Sequence, residues 1–202
     1  MTPILGILAS QISGHLFAPS TAYESIATTT VGAGGTSTIT FSSIPATYTH
    51  LQIRLFGQTN RATYGGDNFY IRVGASSVDT GSNYAWHMVY GEGTTTGAGA
   101  GSSATYINVL NGGCLGTTAG SSFGAVVLDV LDYANTSKYK TTRALGGTDD
   151  NGASSGGFGR AVGLNSGLWQ STSAIGIISL YPMNGTSFNQ YTSAALYGIK
   201  GA

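Results

Sequence analysis

YTHLQIRLF, residues 48–56, alternates without a break: Leu51, Ile53 and Leu55 fall on one side, His50, Gln52 and Arg54 on the other. A period of two is the side-chain spacing of a strand with one face buried. The same rhythm recurs outward from this stretch. NFYIRVG (68–74) sets Phe69, Ile71 and Val73 against Tyr70 and Arg72, and YAWHMVY (84–90) sets Tyr84, Trp86, Met88 and Tyr90 against Ala85, His87 and Val89. ATYINVL (104–110), AIGIISLYP (174–182) and YTSAALYGIKG (191–201) continue it. GAVVLDVLDY (124–133) is apolar on both faces up to Asp129, which predicts a central strand covered on both sides. Between the runs lie the turn clusters VGAGGTS, YGGDN, GEGTTTGAGAGSS, NGGCLGTTAGSS and GGTDDNGASSGGFG. No stretch of ten residues carries a helical stripe. About eight to ten strands at this spacing predict an all-β fold: an antiparallel two-sheet β-sandwich, jelly-roll-like, over residues 23–202.

Residues 1–22 lie outside that rhythm and read as an extended N-terminal arm. The run Ile4, Leu5, Ile7, Leu8 is apolar, but no Lys or Arg occurs before Arg54, so it lacks the basic stretch of a secretory signal. Gly6 interrupts it and it stops at Ser10, far short of the roughly 18 residues a membrane span needs. It is expected to dock at an assembly contact. Burying four such side chains would contribute on the order of 6–10 kcal/mol before the cost of ordering the chain.

Composition narrows the function. Charged residues make up 8% of the chain, against roughly 25% in an average soluble domain. The formal net charge is +0, from 8 Lys+Arg and 8 Asp+Glu, so neither a nucleic-acid footprint nor a polybasic membrane patch is expected. A surface so poor in charge suits particles and fibres, where protein is held at high local density. Cys114 stands alone, which excludes an internal disulfide and a Cys-based zinc site and predicts a small core residue.

No catalytic constellation emerges. Gly120-Ser-Ser122-Phe-Gly124 and Gly152-Ala-Ser154-Ser-Gly156 match the nucleophile-elbow string, but neither precedes a helical pattern. His15, His50 and His87 are scattered, and TDDNG (148–152) reads as a tight turn rather than a calcium loop. GAGAG (97–101) lacks the following Lys and helix of a phosphate loop. Asp129 and Asp132 are three apart on a strand, so they point to opposite faces. No enzyme activity, cofactor or metal is expected. Tyr64, Tyr70, Tyr84, Trp86, Tyr90 and Trp169 are the candidate aromatic surface for a glycan or partner, since their rings are apolar with a polar tip.

YESIATTTVGAGGTSTITFSSIPATYTHLQIR (23–54), SGLWQSTSAIGIISLYP (166–182) and the closing ALYGIKG (195–201) resemble a widespread group of small tailed-bacteriophage virion structural proteins, sometimes labelled tail-fibre-like. The opening MTPILGILAS resembles the segment such proteins often carry at their N-terminus. The resemblance spans nearly the whole chain and implies a place in the virion, after assembly in the bacterial host cytoplasm. It supplies no catalytic residues. The expectation is a capsid decoration (cement) component, homo-oligomeric with a trimer favoured, joined to other virion proteins through its arm. A tail-fibre or receptor-binding module holding host surface glycan is the alternative. A fibre needs a shaft of heptads or β-repeats, and this chain has neither.

Overall fold

In the computed structural model, His50–Gly57 (β3) turns Leu51, Ile53 and Leu55 inward, all buried, and leaves Arg54 and Phe56 outside. Residues 22–109, 113–152 and 159–201 are described. On one side β3 pairs with Ser193–Ile199 (β14), which in turn pairs with Tyr23–Thr30 (β1). On the other it pairs with Gly124–Leu131 (β10), followed by Lys140–Asp149 (β11), Arg160–Trp169 (β12), Tyr84–Glu92 (β6) and Thr95–Ala104 (β7). All pairs in this large sheet are antiparallel. A smaller antiparallel sheet runs Ile39–Phe41 (β2), Ile177–Pro182 (β13), Phe69–Gly74 (β5), Ile107–Asn108 (β8). Gly66–Asp67 (β4) pairs with Cys114–Leu115 (β9), and the one helix among the described residues is a 3-10 turn at Thr117–Ala119.

The two sheets close over one core. Leu51, Ile53, Leu55, Val126, Leu128 and Val130 from the large sheet belong to the same buried cluster as Phe69, Ile71, Val73, Ile178 and Leu180 from the small one. The architecture is therefore the expected all-β antiparallel sandwich. Cys114 is the expected core residue, buried beside Asp67, and burial followed by that carboxylate pushes its thiol well above the usual range.

Two expectations are corrected. GEGTTTGAGAGSS is not a turn cluster: from Thr95 it is the ten-residue edge strand β7. Its inward glycines are needed for space. A Cβ on Gly97 would lie 2.4 Å from the Tyr90 ring and one on Gly101 would lie 2.6 Å from the Trp86 indole, so both β6 aromatics lie against the β7 backbone. β10 is central but not doubly covered: Val126, Leu128 and Val130 are buried, while Ala125 and Val127 face outward and are exposed. Only one face of that strand meets the small sheet.

Candidate functional site

The outer face of the large sheet is where this chain departs from an ordinary soluble surface. Val127 is the cross-strand partner of Leu145, Leu145 of Leu164, and Leu164 of Val89, so a row of aliphatic side chains crosses β10, β11, β12 and β6. It ends on Ala98 of the edge strand. The four large residues are 40%, 55%, 51% and 56% exposed in that order, and Val162 beside them is 59% exposed. A single exposed Leu is normal; a contiguous aliphatic row marks an interaction surface. Along one edge the face sinks into a shallow groove of about 700 Å³ whose lining includes His87, Ala98 and Leu164.

Towards β1 the same face becomes polar. The Gln52 side-chain amide donates to Asp129 Oδ1 at 2.8 Å and to the Tyr23 hydroxyl at 3.0 Å. Arg54 donates to Gln52 Oε1 at 3.0 Å, and its guanidinium stands 5.1 Å from the Tyr197 ring centre. The face is thus divided into a satisfied polar–aromatic half and a bare aliphatic half.

The six aromatic candidates do not share one surface. Tyr84 and Trp169 are core residues, and neither presents a ring to a ligand. The Tyr84 hydroxyl donates to the carbonyls of Val73 and Asp79, both at 2.9 Å, and burial raises its pKa far above the ordinary value. The Trp169 indole donates to Asp79 Oδ2 at 2.8 Å. Trp86 and Tyr90 are half-buried against the β7 glycines. Tyr64 is exposed on a loop beneath the Arg61 guanidinium, 4.4 Å from its ring centre. Tyr70 lies on the outer face of the small sheet, stacked on Tyr181 at 4.9 Å and tilted against Tyr106 at 4.7 Å. Alternation gave the side each residue faces; it carries no information on how deeply that side is covered. Ile4, Leu5, Ile7 and Leu8 lie outside the described residues.

Asp79 gives the Trp169 end of the core a pH dependence. Burial alone would raise its carboxyl, but donation from the Trp169 indole, the Asn83 amide and the Gly81 N–H outweighs this and holds it below 3.8. Its stabilising effect is therefore complete above the unfolded value and is lost as pH falls through the lower folded one. Asp79→Ala is expected to destabilise the domain at pH 7 and to do so much less at pH 2, measured as urea midpoints. An equal loss at both pH values would show that the charge on Asp79 contributes nothing.

A second feature was invisible to alternation. Tyr191, just before β14, is 67% exposed and holds φ at +70°. That conformation is strained for a bulky residue. It borders a groove of about 470 Å³ shared with Ser121, Phe123, Asn189 and Gln190. Ser122 stands in the loop between the 3-10 turn and β10, so no helix follows it, while Ser154 lies outside the described residues. His50 is a sheet residue whose Nδ1 accepts the Asp132 N–H at 3.0 Å. Among the described residues no three His, Cys, Asp or Glu side chains converge as metal ligands would. The chain matches no protein-family model and no curated protein.

Proposed function

We propose that this protein is a non-enzymatic structural component of a bacteriophage virion, a capsid decoration (cement) protein that joins its neighbours through its apolar N-terminal arm. The observation that carries the reading is the bare aliphatic row Val127–Leu145–Leu164–Val89 on a chain with so few charges. A contiguous apolar face of that kind marks a surface that a partner covers, which a particle provides. The strand order supports the same reading. The chain crosses repeatedly between the large sheet and β2-β13-β5-β8, whose β8 packs on β12 and β6, and we read this two-sheet arrangement as a jelly roll enlarged by extra strands. Homo-oligomerisation, with a trimer favoured, belongs to this proposal.

The alternative, a tail module binding host glycan, is favoured by one observation: the strained, exposed Tyr191 beside a groove lined partly by polar side chains. Gold-labelled antibody or cryo-EM on intact particles separates the two. Label over the head is the expected result. Label confined to the tail would transfer the proposal to the glycan reading, and particles lacking the protein would end both.

A further inference from the structure

We infer that the aliphatic row on the outer face of the large sheet is the receptor for residues 4–9 of a second copy of this chain, so that copies are linked by exchanged arms. The inference deepens the assembly role proposed above and rests on it. Three observations select this occupant. The first is length. From Val127 on β10 to Ala98 on β7 the row crosses five strands, and four gaps of about 4.8 Å make it about 19 Å long. Six extended residues span about 20 Å.

The second is area and charge. A strip of that length, about two or three outward side chains deep, offers roughly 400 Å² at the usual strand spacings. A stable face-to-face dimer needs about 800 Å² on each partner, so two such rows pressed together fall short, whereas a single apolar segment is covered by one. Residues 1–23 contain no Lys, Arg, Asp or Glu, and neither do the five residues of the row, while Asp129 and Arg143 flank it on the same face, so an uncharged segment suits the row itself.

The third is position. The Lys200 N–H donates to the Ala22 carbonyl at 3.1 Å, which continues the β1–β14 ladder past Tyr23 to the end of the sheet. Ala22, where the described chain begins, therefore stands at the end of the sheet on its outermost strand. The row begins three strands away, beyond the polar half held by Gln52, Arg54 and Asp129. The point from which the arm departs is thus separated from its own row by three strands, which favours the row of a neighbour as its receptor.

The test uses the full chain and sedimentation at micromolar concentration. The parent chain is expected to associate. Leu5→Asp/Ile7→Asp, which spoils the arm, and Val89→Thr/Leu164→Thr, which spoils the row with residues suited to strands, are each expected to be monomeric, with urea midpoints equal to the parent's at concentrations where the parent is itself monomeric. Mixed in equal amounts they are expected to regain a 1:1 complex, because one supplies an intact row and the other an intact arm. A parent chain that is monomeric, or a mixture that stays monomeric while the parent associates, overturns the exchange. Arm and row variants that associate as well as the parent overturn it too. Particle labelling bears on the virion reading alone, so either conclusion can fail without the other.

Discussion

Asp67→Ala is expected to remove about 3–5 kcal/mol of stability, the scale of breaking a buried, fully bonded charge, and with it roughly 10 °C of melting temperature in a domain of this size. Asp67 is fully buried in the two-residue strand β4, and each of its carboxylate oxygens is used. Oδ1 accepts the Asn68 N–H at 2.8 Å, the Asn184 N–H at 3.2 Å and the Asn184 side-chain amide at 2.7 Å. Oδ2 accepts the Thr59 hydroxyl at 2.8 Å and the Gly185 N–H at 2.9 Å. The Arg61 guanidinium lies 3.8 Å from Oδ1. One side chain therefore ties the segment after β3 to the segment after β13. Alanine would leave those donors facing a void, and an unsatisfied buried donor costs far more than its hydrogen bond contributes. Asp67→Asn keeps the shape but sets an amide against the Gly185 N–H, so a loss of about 1–3 kcal/mol is expected, intermediate between parent and alanine. Thermal and urea unfolding measure both. An alanine variant within 1 kcal/mol of the parent would show that the loops hold without this carboxylate.

Asp67 also marks the limit of reading the chain as a string. YGGDN presents it as a turn residue, because its partners Asn184 and Gly185 are 117 and 118 positions away. Strands such as β3 and β6 were legible because large apolar and polar side chains alternate in them, and burial follows that contrast. In β7 the contrast is between Gly, Ala and Thr, which differ too little in apolar area to mark a face, so a strand of ten residues looked like a loop. β10 shows a different limit. Val126 and Val127 are equally apolar, and the sequence identifies two apolar faces without saying that one is buried in the sandwich and the other left exposed. The same gap between facing and depth placed Tyr84 and Trp169 on a binding surface when they are core. The arm was legible as apolar and uncharged; the row that matches its length was not, since it is assembled from five strands, with β6 and β7 from early in the chain set beside the consecutive β10, β11 and β12.

Deleting residues 1–18 is expected to leave the fold intact and to abolish incorporation into particles. The first half follows from how the sandwich closes. The core cluster among the described residues runs from Val31 to Leu196, with Ile26 and Ala27 packed against it, so both sheets contribute a shared core without drawing on residues 1–18. β1 is held along its length by β14 from Tyr23 to Thr30, and the ladder continues to Ala22, so the truncated chain keeps its outer strand. The urea midpoint of the deletion variant should match the parent at protein concentrations where the parent is monomeric, and any difference should grow with concentration as linkage to association requires. The second half follows from the arm's composition. Four aliphatic side chains, whose burial is worth on the order of 6–10 kcal/mol before ordering costs, leave with the deletion, and the contact they make leaves with them. Incorporation, scored by immunoblot of purified particles, should fall below detection while soluble protein accumulates at parental levels. An insoluble or unfolded product would place the arm in the domain core, and a folded product that still enters particles would move the assembly contact to the sandwich itself.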